Sequence, residues 1–432
     1  MQDSEFIEGL LSFIQASPTP FHAVEQMSAV LDENGFQRLM EADAWGLGSD
    51  ASITGKFYVT RNDSSIIAFT LGSDPVEHGF RMVGAHTDSP CLKVKPNPEI
   101  TKNGYFQLGV EVYGGVLLNP WFDRDLSLAG RVNYVTTDGA VGNMLINFEQ
   151  AIATIPSLAI HLDREANENH AINKQTHIPP ILMKMPEGNN NRPDFRDILM
   201  RLLAQQEPAL KIETVLDYEL NFYDVQAPAV IGLHQDFVAS ARLDNLLSCY
   251  TELMALLKAG PKQNCLMVCN DHEEVGSVSA AGAQGNFLRS VLDRLCSTTE
   301  NFARSMDQSM MISVDNAHGI HPNFADKYDE NHGPILNQGP VIKMNANQRY
   351  ASSSETSAAF RYICEEADVP VQSFVVRSDM ACGSTIGPIT ASEIGVRAID
   401  VGVPTFGMHS IRELAGRWDA FYLYRALREY FQ

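Results

Sequence analysis

Phe80-Arg81-Met82-Val83-Gly84-Ala85-His86-Thr87-Asp88-Ser89-Pro90 is the stretch on which the reading of this chain turns. It begins as a short apolar run of strand character and breaks into polar, turn-forming residues at a histidine and an aspartate. Ligands of open α/β sheets sit beyond the carboxyl ends of strands, so His86 and Asp88 are candidate site residues. The pattern recurs further along the chain. Leu266-Met267-Val268 precedes Glu273 and Glu274, Met311-Ile312-Ser313-Val314 precedes Asp315, and Ile399-Asp400-Val401-Gly402 precedes a loop holding His409. Asp244 lies at the start of a long apolar-periodic segment, after Ser240-Ala241-Arg242-Leu243. These separate segments can meet at one sheet edge.

The flanks supply the rest of an α/β pattern. Phe6, Leu10, Leu11 and Ile14 at helical spacing predict a first helix stopped by Ser17-Pro18-Thr19-Pro20, and a second helix runs from about Phe21 to near Gly35. Strands are predicted at 57–60, 66–71, 80–84, 265–269, 310–314 and 396–401, and a helix at 243–257. Between 94 and 230 the texture changes to alternation, as in Phe106-Gln107-Leu108-Gly109-Val110-Glu111-Val112, interrupted by polar loops such as Glu187 to Pro193, which reads as a solvated loop. The fold class is therefore α/β: a mixed-sheet domain flanked by helices, discontinuous at 1–93 and 231–432, with an inserted β-rich second domain at 94–230.

Composition narrows the functional classes. A chain of 432 residues is expected to form two or three domains, or one large domain with an insertion. Its 32 Lys plus Arg face 53 Asp plus Glu, and a net charge of -21 repels phosphate backbones and anionic lipid surfaces. No nucleic acid and no membrane partner is expected. No run approaches the roughly 18 apolar residues of a membrane helix, and the acidic start Met1-Gln2-Asp3-Ser4-Glu5 lacks the basic region of a leader, so a cytoplasmic location is expected. The seven cysteines contain no Cys-x-x-Cys pair, which indicates neither a disulfide framework nor a thiolate zinc site. Most are expected in the core, with Cys265 and Cys269 on one face of a strand.

Two imidazoles (His86, His409) and four carboxylates (Asp244, Glu273, Glu274, Asp315) brought together would repel one another unless cations were present. Two divalent ions resolve that conflict. Histidine and carboxylate ligands without thiolate suit zinc, manganese or cobalt, and a pair of such ions can share one carboxylate and activate water near neutral pH. Adjacent acids in extended or turning backbone point different ways, so one of Glu273 and Glu274 can bind metal while the other acts as general base. Asp88 is placed to accept a hydrogen bond that orients a ligand or its surroundings.

With those residues in place, the chain resembles the aspartyl aminopeptidases, a branch of the cocatalytic-metal aminopeptidases. The resemblance spans nearly the whole chain and rests on AHTDSPCLKVKP at 85–96, ASARLDN at 239–245, NDHEEVGS at 270–277, SVDNAH at 313–318, KMNANQRYAS at 343–352, DMACGSTIGP at 379–388 and GMHSIRE at 407–413. It implies a zinc-peptidase catalytic domain with an inserted oligomerisation or lid domain. It implies two divalent ions per subunit, zinc first and manganese or cobalt as alternatives. His86 and Asp315 would bind one ion, Glu274 and His409 the other, and Asp244 would bridge them, with Glu273 as the base. It further implies that Lys343 pairs with the acidic side chain of the substrate and that Tyr350 lies in the active site. His161, in LAIHLDR, would reach into a neighbouring subunit's site within a homo-oligomer, a tetrahedral dodecamer. The implied activity is removal of an N-terminal Asp or Glu from peptides. The pair Met380-Ala381 before Cys382-Gly383 departs from the family pattern and bears on the shape of the substrate pocket.

Taken singly, any histidine or acid among 12 His and 53 acidic residues reads as structural. His272 and His318 lie beside the motifs and are candidates for supporting roles. Gly383-Ser384-Thr385 lacks the Gly-x-Ser-x-Gly elbow of a serine nucleophile and reads as a tight turn. Lys343, by itself, reads as a solvated surface lysine. Two alternatives stand beside the main reading: an aminopeptidase of neutral or broad specificity, and a catalytically silent assembly protein that keeps the metal site for structure.

Overall fold

Four short apolar runs, Cys265–Asn270, Arg81–His86, Met310–Val314 and Arg397–Gly402, lie side by side as parallel strands. Parallel strands buried on both faces read as continuous apolar runs, which is why these segments show little alternation. The computed structural model describes residues 2–47, 54–186 and 192–432. Residues 187–191 of the expected solvated loop lie outside the described residues.

The chain divides into two units. The first comprises Met1–Ser89, Pro228–Met408 and Glu413–Gln432, and the second comprises Pro90–Ala227 with His409–Arg412. The second unit thus begins at Pro90 where the sequence suggests 94, ends at Ala227 where it suggests 230, and includes His409, which the sequence reading assigned to the other domain. The C-terminal shift has a physical reason, since Ala229–Ile231 pairs with Phe237–Ser240 in a sheet of the first unit.

In the first unit the four parallel strands form the centre of a nine-stranded mixed sheet. Ser65–Leu71 adds antiparallel on one side, and Val341–Met344 adds antiparallel on the other. Successive residues of Cys265–Asn270 feed opposite cores. Cys265, Met267 and Cys269 pack with Phe6, Leu10, Met27, Leu246, Leu253 and Leu423 from the helices Asp3–Ala16, Pro20–Glu33, Leu243–Leu256 and Asp419–Tyr430. Leu266 and Val268 pack with Phe287, Leu292, Met306 and Ile394 from Phe287–Cys296, Thr299–Asp307 and Ile386–Ile394 on the other face. Helices on both faces of a mostly parallel sheet leave the strand ends as the exposed rim where a site can form.

A second, five-stranded sheet of the first unit was not anticipated. It orders Ala229–Ile231, Phe237–Ser240, Glu413–Gly416, Pro404–Phe406 and Ala317–His318. It joins the segment before Asp244 to Glu413, through the register pair Ser240 and Glu413.

The second unit is a six-stranded antiparallel sheet ordered Val141–Asn147, Leu126–Thr136, Ile212–Asp224, Cys91–Lys102, Tyr105–Tyr113 and Ile181–Lys184. Its buried side carries Leu92, Phe106, Leu108, Leu128, Val132, Leu220 and Phe222. The helix Phe195–Gln206 contributes Phe195, Leu199 and Leu203 to the same core. Asp194 caps this helix by accepting from the N–H groups of Arg196 and Asp197. Among the described residues no helix is long and apolar enough to cross a membrane.

Candidate metal centre

His86 is the last residue of its strand, opposite Asn270 in the ladder, and is buried. Its Nδ1 lies 3.1 Å from the Asp88 carbonyl oxygen and 3.4 Å from Asp88 Oδ1. Its Nε2 faces three other carboxylates: Asp244 Oδ1 at 3.5 Å, Asp315 Oδ1 at 3.7 Å and Glu273 Oε2 at 4.0 Å. Burial alone would lower the proton affinity of this imidazole. The neighbouring carboxylates of Asp244, Asp315 and Asp88 outweigh it and hold the pKa well above the ordinary value.

Each partner arrives on a different element. Asp244 lies in the first turn of the segment Leu243–Leu256 with non-helical backbone (φ -85°, ψ 103°) and is buried. It follows Arg242, whose left-handed backbone has φ 58° and whose guanidinium donates to the carbonyls of Ile14 and Ser17 at the end of the first helix. Asp315 directly follows the strand Met310–Val314, where its N–H donates to Val401. Gly402, at the end of the neighbouring strand, allows this approach, since a Cβ there would lie 1.9 Å from the Asp315 carbonyl oxygen.

Glu273 and Glu274 lie in a single 3-10 turn after Cys265–Asn270, not in extended backbone. The turn is framed by His272 at φ 64° and Gly276 at φ 96°. Asp88 pins it: Oδ1 accepts from the Glu273 N–H and Oδ2 from the Glu274 N–H, both at 3.1 Å. One buried carboxylate therefore holds the two glutamate peptides while facing His86. Burial, opposed by His86 and reinforced by Asp315, Glu274 and Asp88, pushes the Glu273 carboxyl up to about 8. Behind the turn, burial and the nearby Asp88 push Asp271 up to about 6.

The donor set suits a hard or borderline divalent cation. Ligand atoms of His86, Asp244 and Asp315 lie within 4.8 Å of one another, and so do those of His86, Glu273 and Glu274. With Nδ1 turned to a carbonyl, the Nε2 lone pair of a neutral His86 would point among carboxylates, an arrangement that a cation makes favourable.

Lys343 corrects the surface-lysine reading, for it is 2% exposed. Its Nζ donates to Asp315 Oδ2 and to the Asn316 carbonyl, both at 3.2 Å, and lies 5.3 Å from the centre of the Tyr350 ring. Tyr350 is buried, and burial raises its pKa further than the hydrogen bond to Cys382 does. Lys343 also stands opposite the fully buried Asp400 in the ladder. Burial raises Asp400, against the opposing charge of Lys343 and hydrogen bonds from Thr385, Ala351 and Ser313. Asp400 and Asp271 were missed by the sequence reading. Nothing in their local pattern distinguishes them from other acids, and only their burial makes them notable.

The remaining candidates are placed as follows. His409 belongs to the second unit, where its Nδ1 lies 3.1 Å from the Gly115 carbonyl oxygen and its own carbonyl accepts from Leu117. His161 is exposed in a turn of that unit. His272 shares its Nδ1 with Ser279 Oγ at 2.9 Å, and His318 sits edge-on to Phe374. Ser384 donates to the Arg349 carbonyl from an exposed position, and the expected turn at 383–385 is not formed, the chain there running without a hydrogen-bonded turn into the helix Ile386–Ile394. Cys249, Cys265, Cys269, Cys296 and Cys364 are buried, and no disulfide joins any of the seven cysteines.

Comparison with known proteins gives a consistent picture. The family model described as Aminopeptidase I zinc metalloprotease (M18) matches residues 13–431. A protein from Ectopseudomonas mendocina (strain ymp) named Probable M18 family aminopeptidase 2 is 59% identical over 428 residues, covering 99% of this chain and 98% of the relative. One of the same name from Pseudomonas aeruginosa (strain UCBPP-PA14) is 56% identical over 429 residues, with coverage of 99% and 98%. Among solved structures, a chain of the cryo-EM Ape4 and Nbr1 complex superposes with a TM-score of 0.94 at 38% identity, covering 99% of this chain and 86% of that one. The S. cerevisiae mApe1 dodecamer superposes with a TM-score of 0.84 at 28% identity, covering 98% and 96%.

The Asp88 clamp yields a direct test. Asp88→Asn sets an amide NH2 against one of the two glutamate N–H groups, so affinity for a divalent ion should fall about 10- to 100-fold. Competition with a chromophoric chelator measures it, with circular dichroism verifying the fold. Unchanged affinity would show that Asp88 does not organise the centre.

Proposed function

The chain belongs to the M18 family of aminopeptidases, zinc metalloproteases by description, and from that premise we propose that it removes N-terminal Asp or Glu from peptides with two divalent ions. His86 and Asp315 would hold one ion, Glu274 and His409 the other, with Asp244 between them. Zinc is the expected metal, and manganese or cobalt would satisfy the same donors. The assignment of His409 rests on the sequence motif at 407–413. That of His86, Asp244 and Asp315 is supported in addition by the mutual reach of their ligand atoms. Ions so held polarise a carbonyl and make water a nucleophile near neutral pH.

The chain's own residues supply the remaining steps. Glu273 takes the proton of the attacking water and delivers it to the leaving amine. The observation that carries this role is the Asp88 clamp. It fixes the Glu273 peptide while leaving the side chain 15% exposed beside His86, so the carboxylate is both held and reachable by water.

Acidic specificity is supported by Lys343. An ammonium has three N–H groups; Asp315 and Asn316 take two, and the third would pair with a substrate carboxylate beside the Tyr350 ring. A local cation is needed because the net charge of -21 opposes the approach of acidic peptides. The commitment of Lys343 to Asp315 favours the second reading, an aminopeptidase of neutral or broad specificity, in which Lys343 serves the metal centre alone.

Self-association, with the dodecamer as its expected form, is supported by the exposed Leu158, Ile160 and Leu162 around His161, at 58%, 48% and 74%. It is also supported by the dodecameric assembly of the yeast relative. His161 would then serve a neighbouring subunit's site. A cytoplasmic workplace fits the absence of disulfides among the seven cysteines.

Hydrolysis of an N-terminal Asp anilide, abolished by chelator and restored by metal, is the expected behaviour. Glu273→Gln should retain metal and lose about 100-fold or more in turnover; near wild-type turnover would remove Glu273 from its role, and activity indifferent to chelator would reject the metal reading. Lys343→Met should depress kcat/KM on Asp substrates by about 10- to 100-fold more than on Leu substrates. Equal losses on both would show that Lys343 supports the site generally and does not select acidic substrates. In sedimentation velocity the active species should be an oligomer, and a fully active monomer would rule out a contribution of His161 to another subunit.

A further inference from the structure

Asp244 and Asp315 adjoin two strands of the five-stranded sheet, Phe237–Ser240 and Ala317–His318, that do not pair directly with each other. Asp244 lies in the non-helical first turn of the segment Leu243–Leu256, whereas Asp315 extends the strand Met310–Val314, whose ladder partners are Arg81–His86 and Arg397–Gly402. The Asp244 peptide is nevertheless held from several sides. Its N–H donates to Glu413 Oε2 at 3.0 Å, and its carbonyl accepts from Ser89 Oγ at 2.6 Å. Both contacts tie it to segments other than the one that carries Asp315.

One side chain reaches directly from the Asp244 segment to that one. Asn245 is fully buried, and its Nδ2 donates at 2.8 Å to the carbonyl oxygen of Val314, the residue before Asp315. The bond therefore joins the residue after one carboxylate to the residue before the other. Asn245 Oδ1 has no hydrogen-bond partner among the described residues. A buried amide that leaves its acceptor unused is costly, so the position is better explained by what its donor does than by packing.

We propose that Asn245 is a positioning residue that sets the separation of Asp244 and Asp315, and through it the affinity and coordination geometry of the ion they share. The inference rests on the two-metal reading above. Asn245 acts through the two peptides it ties together.

Asn245→Leu keeps the side-chain shape and removes the donor. Zinc Kd, measured by competition with a chromophoric chelator, should rise about 10- to 100-fold. The visible absorption of the cobalt-substituted protein should change in position or intensity, because it reports ligand geometry. A merely structural role would lower the melting temperature of the metal-free protein and leave that spectrum and the Kd unmoved. Should the leucine variant fail to fold, Asn245→Ala and Asn245→Ser provide the same two readouts, with the serine hydroxyl expected to restore part of the affinity lost in the alanine. Wild-type Kd and spectrum in a folded variant would overturn the inference alone. A wild-type protein without measurable affinity for zinc, cobalt or manganese would overturn the two-metal reading and this inference together.

Discussion

The mutual repulsion of Asp88, Asp244, Glu273, Glu274 and Asp315 around one imidazole is the constraint on which the rest of the structure depends. Two like charges 4 Å apart cost about 4 kcal/mol at an effective dielectric of about 20, and several such pairs cannot persist in a water-poor space without compensation. The protein supplies part of that compensation itself. Lys343 reaches Asp315, backbone N–H groups reach Asp88, and His86 stays protonated far above its ordinary range. A cation bound among these carboxylates would offset the repulsion that remains, in a chain whose net charge is already -21.

Holding such a cluster together demands a rigid frame. The sheet places His86 and Asp315 at the ends of adjacent parallel strands, and the helices on both faces keep those strands from moving. The carboxylates themselves are fixed through their backbones. Asp88 takes the peptides of Glu273 and Glu274, Glu413 takes that of Asp244, and Ser89 closes the contact between the Asp244 and His86 segments. Fixing the backbones fixes where the side chains start, which is the arrangement preorganised chemistry needs.

How much of this was legible in the sequence follows from what each feature leaves in it. The central strands announce themselves because both faces are buried, so Met82-Val83 or Leu266-Met267-Val268 is apolar without interruption. His86, Glu273, Glu274 and Asp315 could be singled out because they follow such runs immediately. The five-stranded sheet left no trace. Ala317–His318 and Pro404–Phe406 are too short to carry a period, and their pairing is decided by tertiary contacts. Lys343 misled in isolation because its burial depends on facing Asp400 across a ladder, a relation no local window contains. Asn245, Asp271 and Asp400 were invisible for the same reason. Their residue types are ordinary, and their importance lies in partners dozens of residues away.

The central claim is that this acidic centre is built to hold two ions joined by Asp244. The most direct test is a crystal structure of the zinc-loaded protein with anomalous differences collected on both sides of the zinc absorption edge. The account predicts two peaks per chain with Asp244 contacting both, His86 and Asp315 on one and Glu274 and His409 on the other. A single peak at full activity, or two peaks with Asp244 touching neither, would contradict it.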